Sequence, residues 1–142
     1  MQPSESLAMD TQQRLLLTNT VNALDGGHAE LSTAIIVGIS CVDFAKISKD
    51  LAHGISAYDS SGQYLSVAAG RLSYTFNFKG PSLSIDTACS SSLVATHFSL
   101  SSIHANASNA ALLCGVNIIL DPASTASFVR AGMIAKGAGV GG

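Results

Sequence analysis

Along this chain, apolar side chains gather either in short unbroken runs or in stripes of helical spacing, and the two kinds of pattern alternate. Residues 9–24 put Leu15, Leu16, Val21 and Leu24 near one face, which predicts an amphipathic helix with Asp25-Gly26-Gly27 as its stop. Ala34 to Ile39 is a continuous, β-branched apolar run, the pattern of a strand buried on both faces. Residues 42–56 hold no clear period and predict a loop with a short helix. From Gln63 to Phe76 the positions of Tyr64, Leu65, Val67, Ala68, Leu72 and Phe76 suit another helix, closed by Asn77 and a Lys79-Gly80-Pro81 turn. A short strand from Ser82 to Asp86 follows, then a helix from near Cys89 to about Ile103 and a polar turn from His104 to Asn109. Ala110 to Leu120 predicts a buried strand, and Pro122 opens a helix reaching about Arg130. This alternation implies a layered α/β fold with a parallel or mixed sheet, without an internal repeat or a linker.

Composition sharpens that picture. Of 142 residues, 47% are hydrophobic and only 11% charged, which excludes a disordered chain and implies a surface covered by further protein. The seven Lys and Arg lie scattered, and a net charge of -2 offers no basic stripe for nucleic acid or anionic lipid. No membrane span is expected, because the apolar stretch 110–120 contains Asn117 and falls short of the roughly 20 residues a bilayer helix needs. Residues 1–14 contain Pro3, Glu5, Asp10 and Arg14, unlike a secretion leader. Cys41, Cys89 and Cys114 are odd in number and form no C-x-x-C pair, so neither a disulfide framework nor a metal site is expected, and a reducing cytoplasm fits. From Thr87 to Leu120, 34 consecutive residues carry no Asp, Glu, Lys or Arg. A helix inside that stretch is expected to be enclosed on most sides, in the middle layer of a larger structure.

Cys89 falls where strand, tight bend and helix start are predicted to meet. Unpaired N–H groups and the positive end of the helix dipole favour a thiolate there, and the backbone of Cys89 and Ser90 could donate to an oxyanion. Asp86, Thr87 and Ala88 would support the elbow. Taken by itself, a lone cysteine in an apolar chain is more often a small buried hydrophobe, and that alternative stays open on spacing alone. Cys41 and Cys114 lie in or beside apolar strands, where inert burial is the default. Ser90 to Ser92 have no base nearby and read as packing residues. Arg71 reads as a structural ion pair or a cap on carbonyls, with a role at an interaction surface as the alternative. His97, eight residues beyond Cys89, would stand about 12 Å away along a helix axis, too far for contact. His28, His53 and His104 have no catalytic context.

The run Asp86-Thr87-Ala88-Cys89-Ser90-Ser91-Ser92-Leu93 closely resembles the active-site signature of type I ketosynthases, the beta-ketoacyl synthase domains of polyketide and fatty-acid synthases. Further segments are similar in order and spacing: Met9-Asp10-Thr11-Gln12-Gln13-Arg14, with Thr11 where the family has Pro; Val37-Gly38-Ile39-Ser40; Ala69-Gly70-Arg71-Leu72-Ser73-Tyr74; and Cys114-Gly115-Val116-Asn117, with Cys114 where many members have Gly. The likeness runs from about Met9 to Met133. It implies a thiolase-like fold of layered α/β structure with a mixed sheet, with residues 1–142 a truncated N-terminal half ending in a glycine-rich tail at 137–142. It further implies a homodimer in the complete domain and acyl transfer from a carrier-protein thioester to Cys89. Condensation with a malonyl-type extender that loses carbon dioxide would follow.

On that resemblance the chain binds no cofactor itself; its substrates ride on the phosphopantetheine of an acyl carrier protein. Two histidines from the second half, one in a His-Gly-Thr-Gly-Thr motif, serve the condensation in the family, and neither motif occurs in this sequence. The chain alone is therefore expected not to condense, and the alternative is a catalytically incomplete remnant or dimer-forming piece. The glycine-rich tail follows no strand-and-helix context that a dinucleotide fingerprint requires, and no Gly-x-Ser-x-Gly elbow suggests a hydrolase.

Overall fold

A computed structural model describes residues 3–25, 30–50 and 57–134. The chain runs through α1 (Pro3–Ala8), α2 (Thr11–Leu24), β1 (Ala34–Ile39), α3 (Asp43–Asp50), α4 (Asp59–Gln63), α5 (Val67–Phe76), β2 (Ser82–Ile85), a 3-10 turn at Ala88–Ser90, α6 (Ser91–His104), β3 (Ala111–Val116) and α7 (Pro122–Arg130). Gly26, Gly27, His28, His53 and the tail at 137–142 lie outside the described residues.

Six consecutive apolar residues leave a strand no polar side, and β1 accordingly takes the centre of the sheet, with every residue buried. The order is β2-β1-β3, and both pairings are parallel, so the described sheet is parallel rather than mixed. Parallel neighbours need crossover connections, and helices supply them here: α3 to α5 between β1 and β2, α6 between β2 and β3. Alternation along β1 then sorts two cores. Ile35, Val37 and Ile39 pack with Leu16 of α2, Ala68, Ala69 and Leu72 of α5, and Phe78. Ala34 and Ile36 pack on the opposite side with Ala95 of α6. The result is three layers, helix on sheet on helix.

Several expectations need correction. Residues 3–8 form a helix that the sequence pattern did not announce. The helix expected over 63–76 starts late: Tyr64 is extended and α5 runs from Val67 to Phe76, while a separate short helix, α4, which the pattern did not announce, ends at Gln63. The side chain of Ser84 on β2 accepts the Ala69 N–H at 3.1 Å, serving an amide that α5 itself leaves open. In α2 the buried residues are Gln12, Gln13, Leu16 and Thr20, whereas Leu15 and Val21 stand exposed. Three of these four are polar, and Gln12 and Gln13 are inside because the loop carbonyls of Cys41, Ser61, Gly62 and Tyr64 take their side-chain amides. The strand expected to reach Leu120 stops at Val116, since the amides beyond are taken by side chains. Within this chain α6 is enclosed on one side only: Ser91, Ala95 and Ser99 are buried, while Leu93, Phe98, Leu100 and Ile103 are exposed.

Candidate active site

Gly38 of β1 and Gly115 of β3 are register partners, side by side in the sheet. A Cβ on Gly38 would lie 2.8 Å from the Ser91 carbonyl atoms and the Ser92 nitrogen; one on Gly115 would lie 2.5 Å from Ser92 Oγ. The two glycines therefore let the first turn of α6 settle directly onto the C-terminal ends of the strands. Glycine inside an apolar strand is the sequence signal that could have revealed this approach.

The elbow before α6 is held by its own side chains. Ala88 sits at φ 55°, a left-handed conformation that costs a non-glycine residue about 1–3 kcal/mol. Four contacts hold it. Asp86 Oδ1 accepts the Ala88 N–H at 2.9 Å, Ser91 Oγ accepts the Thr87 N–H at 2.8 Å and donates to Ala88 O at 2.7 Å, and the Ser90 hydroxyl donates to Thr87 O at 2.8 Å. Ser91, read from sequence as a packing residue, is thus the clasp of the bend. Cys89 emerges exposed on the 3-10 turn, one residue past the strained alanine. An open cavity of about 270 Å³ lies against it, lined among others by Gly38, Ser40, Ser92, Gly115 and Asn117. Asp86, Thr87, Ala88, Cys89 and Ser90 are thus brought together as one structural unit. Ser90 already donates its N–H to Thr87 O at 3.3 Å; for the Cys89 N–H no acceptor occurs among the described residues.

The remaining candidates stand apart from the cavity. His97 sits on α6 with its ring edge-on to Phe98, centroids 5.8 Å apart, and His104 is in the exposed last turn. Cys114 packs against the α2–α5 core, and burial pushes its thiol up. Burial also raises the Cys41 thiol, reinforced by the neighbouring Asp43 carboxylate. Arg71 is half-buried and bonds Gln13 Oε1, Glu5 Oε1 and Ser61 O, so it is both ion pair and carbonyl cap. Among the described residues there is no group of His, Cys, Asp or Glu that could hold a metal, and no helix long and apolar enough to cross a membrane.

Asp43 was not singled out by its sequence context, yet its carboxylate is 2% exposed and accepts from Leu120 N–H, Asp121 N–H and the Ser124 hydroxyl. Burial alone would raise this carboxyl; the hydrogen bonds from Asp121, Ser124, Cys41 and Leu120 outweigh it and hold the group well below the ordinary 3.8. A depressed folded value means that stability is present above the unfolded value and is lost as pH falls below it. Burial raises Asp10, which works in the opposite sense. Comparing Asp43→Asn with the parent isolates the first effect: the parent's thermal midpoint should fall more steeply below pH 3.8 than the variant's.

Comparison with known proteins places these features in a family. The family described as beta-ketoacyl synthase, N-terminal domain, matches residues 1–139. The hybrid PKS-NRPS synthetase apdA of Emericella nidulans is 42% identical over 127 residues, which is 85% of this chain and 3% of that protein. Among solved structures, the oxazolomycin ketosynthase domain from Streptomyces albus superposes with a TM-score of 0.80 at 26% identity, covering 93% of this chain and 24% of that one. The ketosynthase from module 6 of the bacillaene synthase of Bacillus subtilis gives 0.74 at 31% identity, with 93% and 22% covered. The chain therefore spans about a quarter of those ketosynthases, and a few per cent of the synthetase.

Proposed function

Since the chain belongs to the beta-ketoacyl synthase family, as its N-terminal domain with a thiolase-like fold, we propose that Cys89 is the acyl-accepting nucleophile of a polyketide-type ketosynthase. One observation carries the reading: an exposed thiol, one residue past a strained elbow clasped by Ser91 and Asp86, opening onto a cavity at the strand ends. The Cys89 sulfur, as thiolate, attacks the carbonyl of an acyl thioester carried on the phosphopantetheine of an acyl carrier protein. A new sulfur–carbon bond forms, and the carrier's thiolate leaves and takes up a proton. Of the two amides considered for the oxyanion, that of Ser90 is engaged with Thr87, so the proposal rests on the Cys89 N–H.

Condensation with a malonyl-type thioester would complete the cycle, with both histidines supplied by the second half that the family resemblance implies. A reducing cytoplasm would keep the thiol free. The chain itself binds no cofactor in this reading. Dimerisation along β2, an edge strand with Leu83 41% exposed, belongs to the same proposal.

A second reading, a catalytically incomplete piece that acts by association, is favoured by the apolar outer surface of α6, where Leu93 is 74% and Leu100 52% exposed. One experiment decides between them. After incubation of the full chain with a short-chain acyl-N-acetylcysteamine thioester, peptide mass spectrometry should find a single acyl group on Cys89, absent in Cys89→Ala. Acylation confined to Cys41 or Cys114, or none in the folded chain, would favour the second reading.

A further inference from the structure

We propose that Gln12 and Asp43 are positioning residues that set the far wall of the Cys89 cavity by capturing the backbone that follows β3. The inference builds on the reading of Cys89 as an acyl acceptor and adds residues that lie outside its elbow. Pairing between β1 and β3 ends at Ile39 and Val116. Had it continued, Ser40 would face Asn117 in the ladder and the strands would close over the space next to the thiol. Instead the Ile118 N–H donates to Gln12 Oε1 at 3.1 Å, and the Leu120 and Asp121 N–H groups donate to Asp43 Oδ2 at 3.1 and 3.0 Å. The Ser124 hydroxyl adds a bond to Asp43 Oδ1 at 2.7 Å.

Gln12 holds the other side as well, since its Nε2 donates to Cys41 O at 3.0 Å, on the segment following β1. One buried amide thus ties together the two segments that carry Ser40 and Asn117, which line the cavity and are joined at its rim only by an exposed bond from the Ser40 hydroxyl to Asn117 Oδ1 at 3.4 Å. The Gln12 and Asp43 side chains are both 2% exposed, which removes competition from water and makes the bonds to the carboxylate strong and directional. A thioester reaching Cys89 must fit this opening, whereas a small alkylating agent need not.

The test uses the full chain with Gln12→Ala, Asp43→Asn and Asp43→Ala. An Asp43→Asn side chain keeps the shape but presents an NH2 group where one carboxylate oxygen accepted, so the segment must shift. Amide hydrogen exchange should speed up locally at Leu120 and Asp121 in the Asp43 variants, and at Ile118 in Gln12→Ala. Acylation of Cys89 by the thioester should slow about tenfold, through a raised half-saturation concentration, while iodoacetamide labelling of Cys89 changes by less than about twofold.

Unchanged exchange at residues 118–121 in a folded variant overturns the proposal. So does an equal slowing of both reagents with protection from exchange lost throughout the chain, which marks a structural role only. If the parent chain is not acylated at Cys89, the functional reading fails, and exchange alone decides the clamp: local loss of protection supports it, none overturns it.

Discussion

Gly38→Ala should lower the stability of the chain by about 2 kcal/mol and displace Cys89, although it adds a single methyl group to a buried strand. The added carbon would fall 2.8 Å from Ser91 C, Ser91 O and Ser92 N, all of them backbone in the first turn of α6. No side-chain rotation relieves such a contact. The helix must lift, and lifting it strains the Ser91 clasp on Thr87 and Ala88, since the same residue is pressed by the methyl and holds the bend. Urea unfolding reads the stability, and the rate of Cys89 alkylation reads the displacement. Gly70→Ala is the internal control: its Cβ would meet nothing within 4 Å, and it lies within α5, so stability should rise by about 0.5–1 kcal/mol. Equal stability of Gly38→Ala and the parent would mean that α6 does not sit on the strand as described.

The contrast between these two glycines also marks how far the sequence could be read. Where the chain's own pattern determines the outcome, the reading succeeded: β1 is apolar at six successive positions and could only be central, and the run of small residues around Cys89 could only be a bend followed by a helix. Where an outcome depends on which distant group takes a backbone amide, local pattern was blind. Val116 ends β3 because Gln12 and Asp43, 106 and 77 residues away from their partners Ile118 and Leu120, receive the amides that β1 would have received. The N-terminal boundary of α5 was missed for the same reason, its early amide being served by Ser84 fifteen residues on. In α2 the hydrophobic stripe was a fair description of composition but a poor one of burial, because Gln12 and Gln13 are needed inside as hydrogen-bonding groups and displace Leu15 and Val21 to the surface. The candidate site divides likewise: the exposed Cys89 and its elbow were legible as a motif, whereas the glycine seat and the Gln12 and Asp43 bonds beside its cavity exist only in three dimensions.

Arg71→Met should be among the most damaging single changes away from the site, costing about 3 kcal/mol. Its guanidinium side chain is 9% exposed and bonds three elements: Glu5 Oε1 on α1 at 2.7 Å, Gln13 Oε1 on α2 at 2.6 Å and Ser61 O on α4 at 2.9 Å. Methionine fills much of the volume but takes the donor from Glu5 Oε1 and Gln13 Oε1, while Ser61 O keeps only Gln13 Nε2 at 3.3 Å, and the loss exceeds what an exposed ion pair contributes because Gln13 cannot turn to water. Glu5, 24% exposed, recovers some solvation, which keeps the expected cost at the lower end for a broken buried pair. Arg71→Lys should restore only part of the loss, since one ammonium cannot reproduce a planar fork aimed at three acceptors. The damage should begin at α1, a six-residue helix with no buried residue of its own, so proteolysis near its end should accelerate before global unfolding does. Urea midpoints for the two variants and the parent check the ranking. A loss under about 1 kcal/mol for Arg71→Met would place the pair with solvent-screened surface bridges and leave α1 held by something other than this fork.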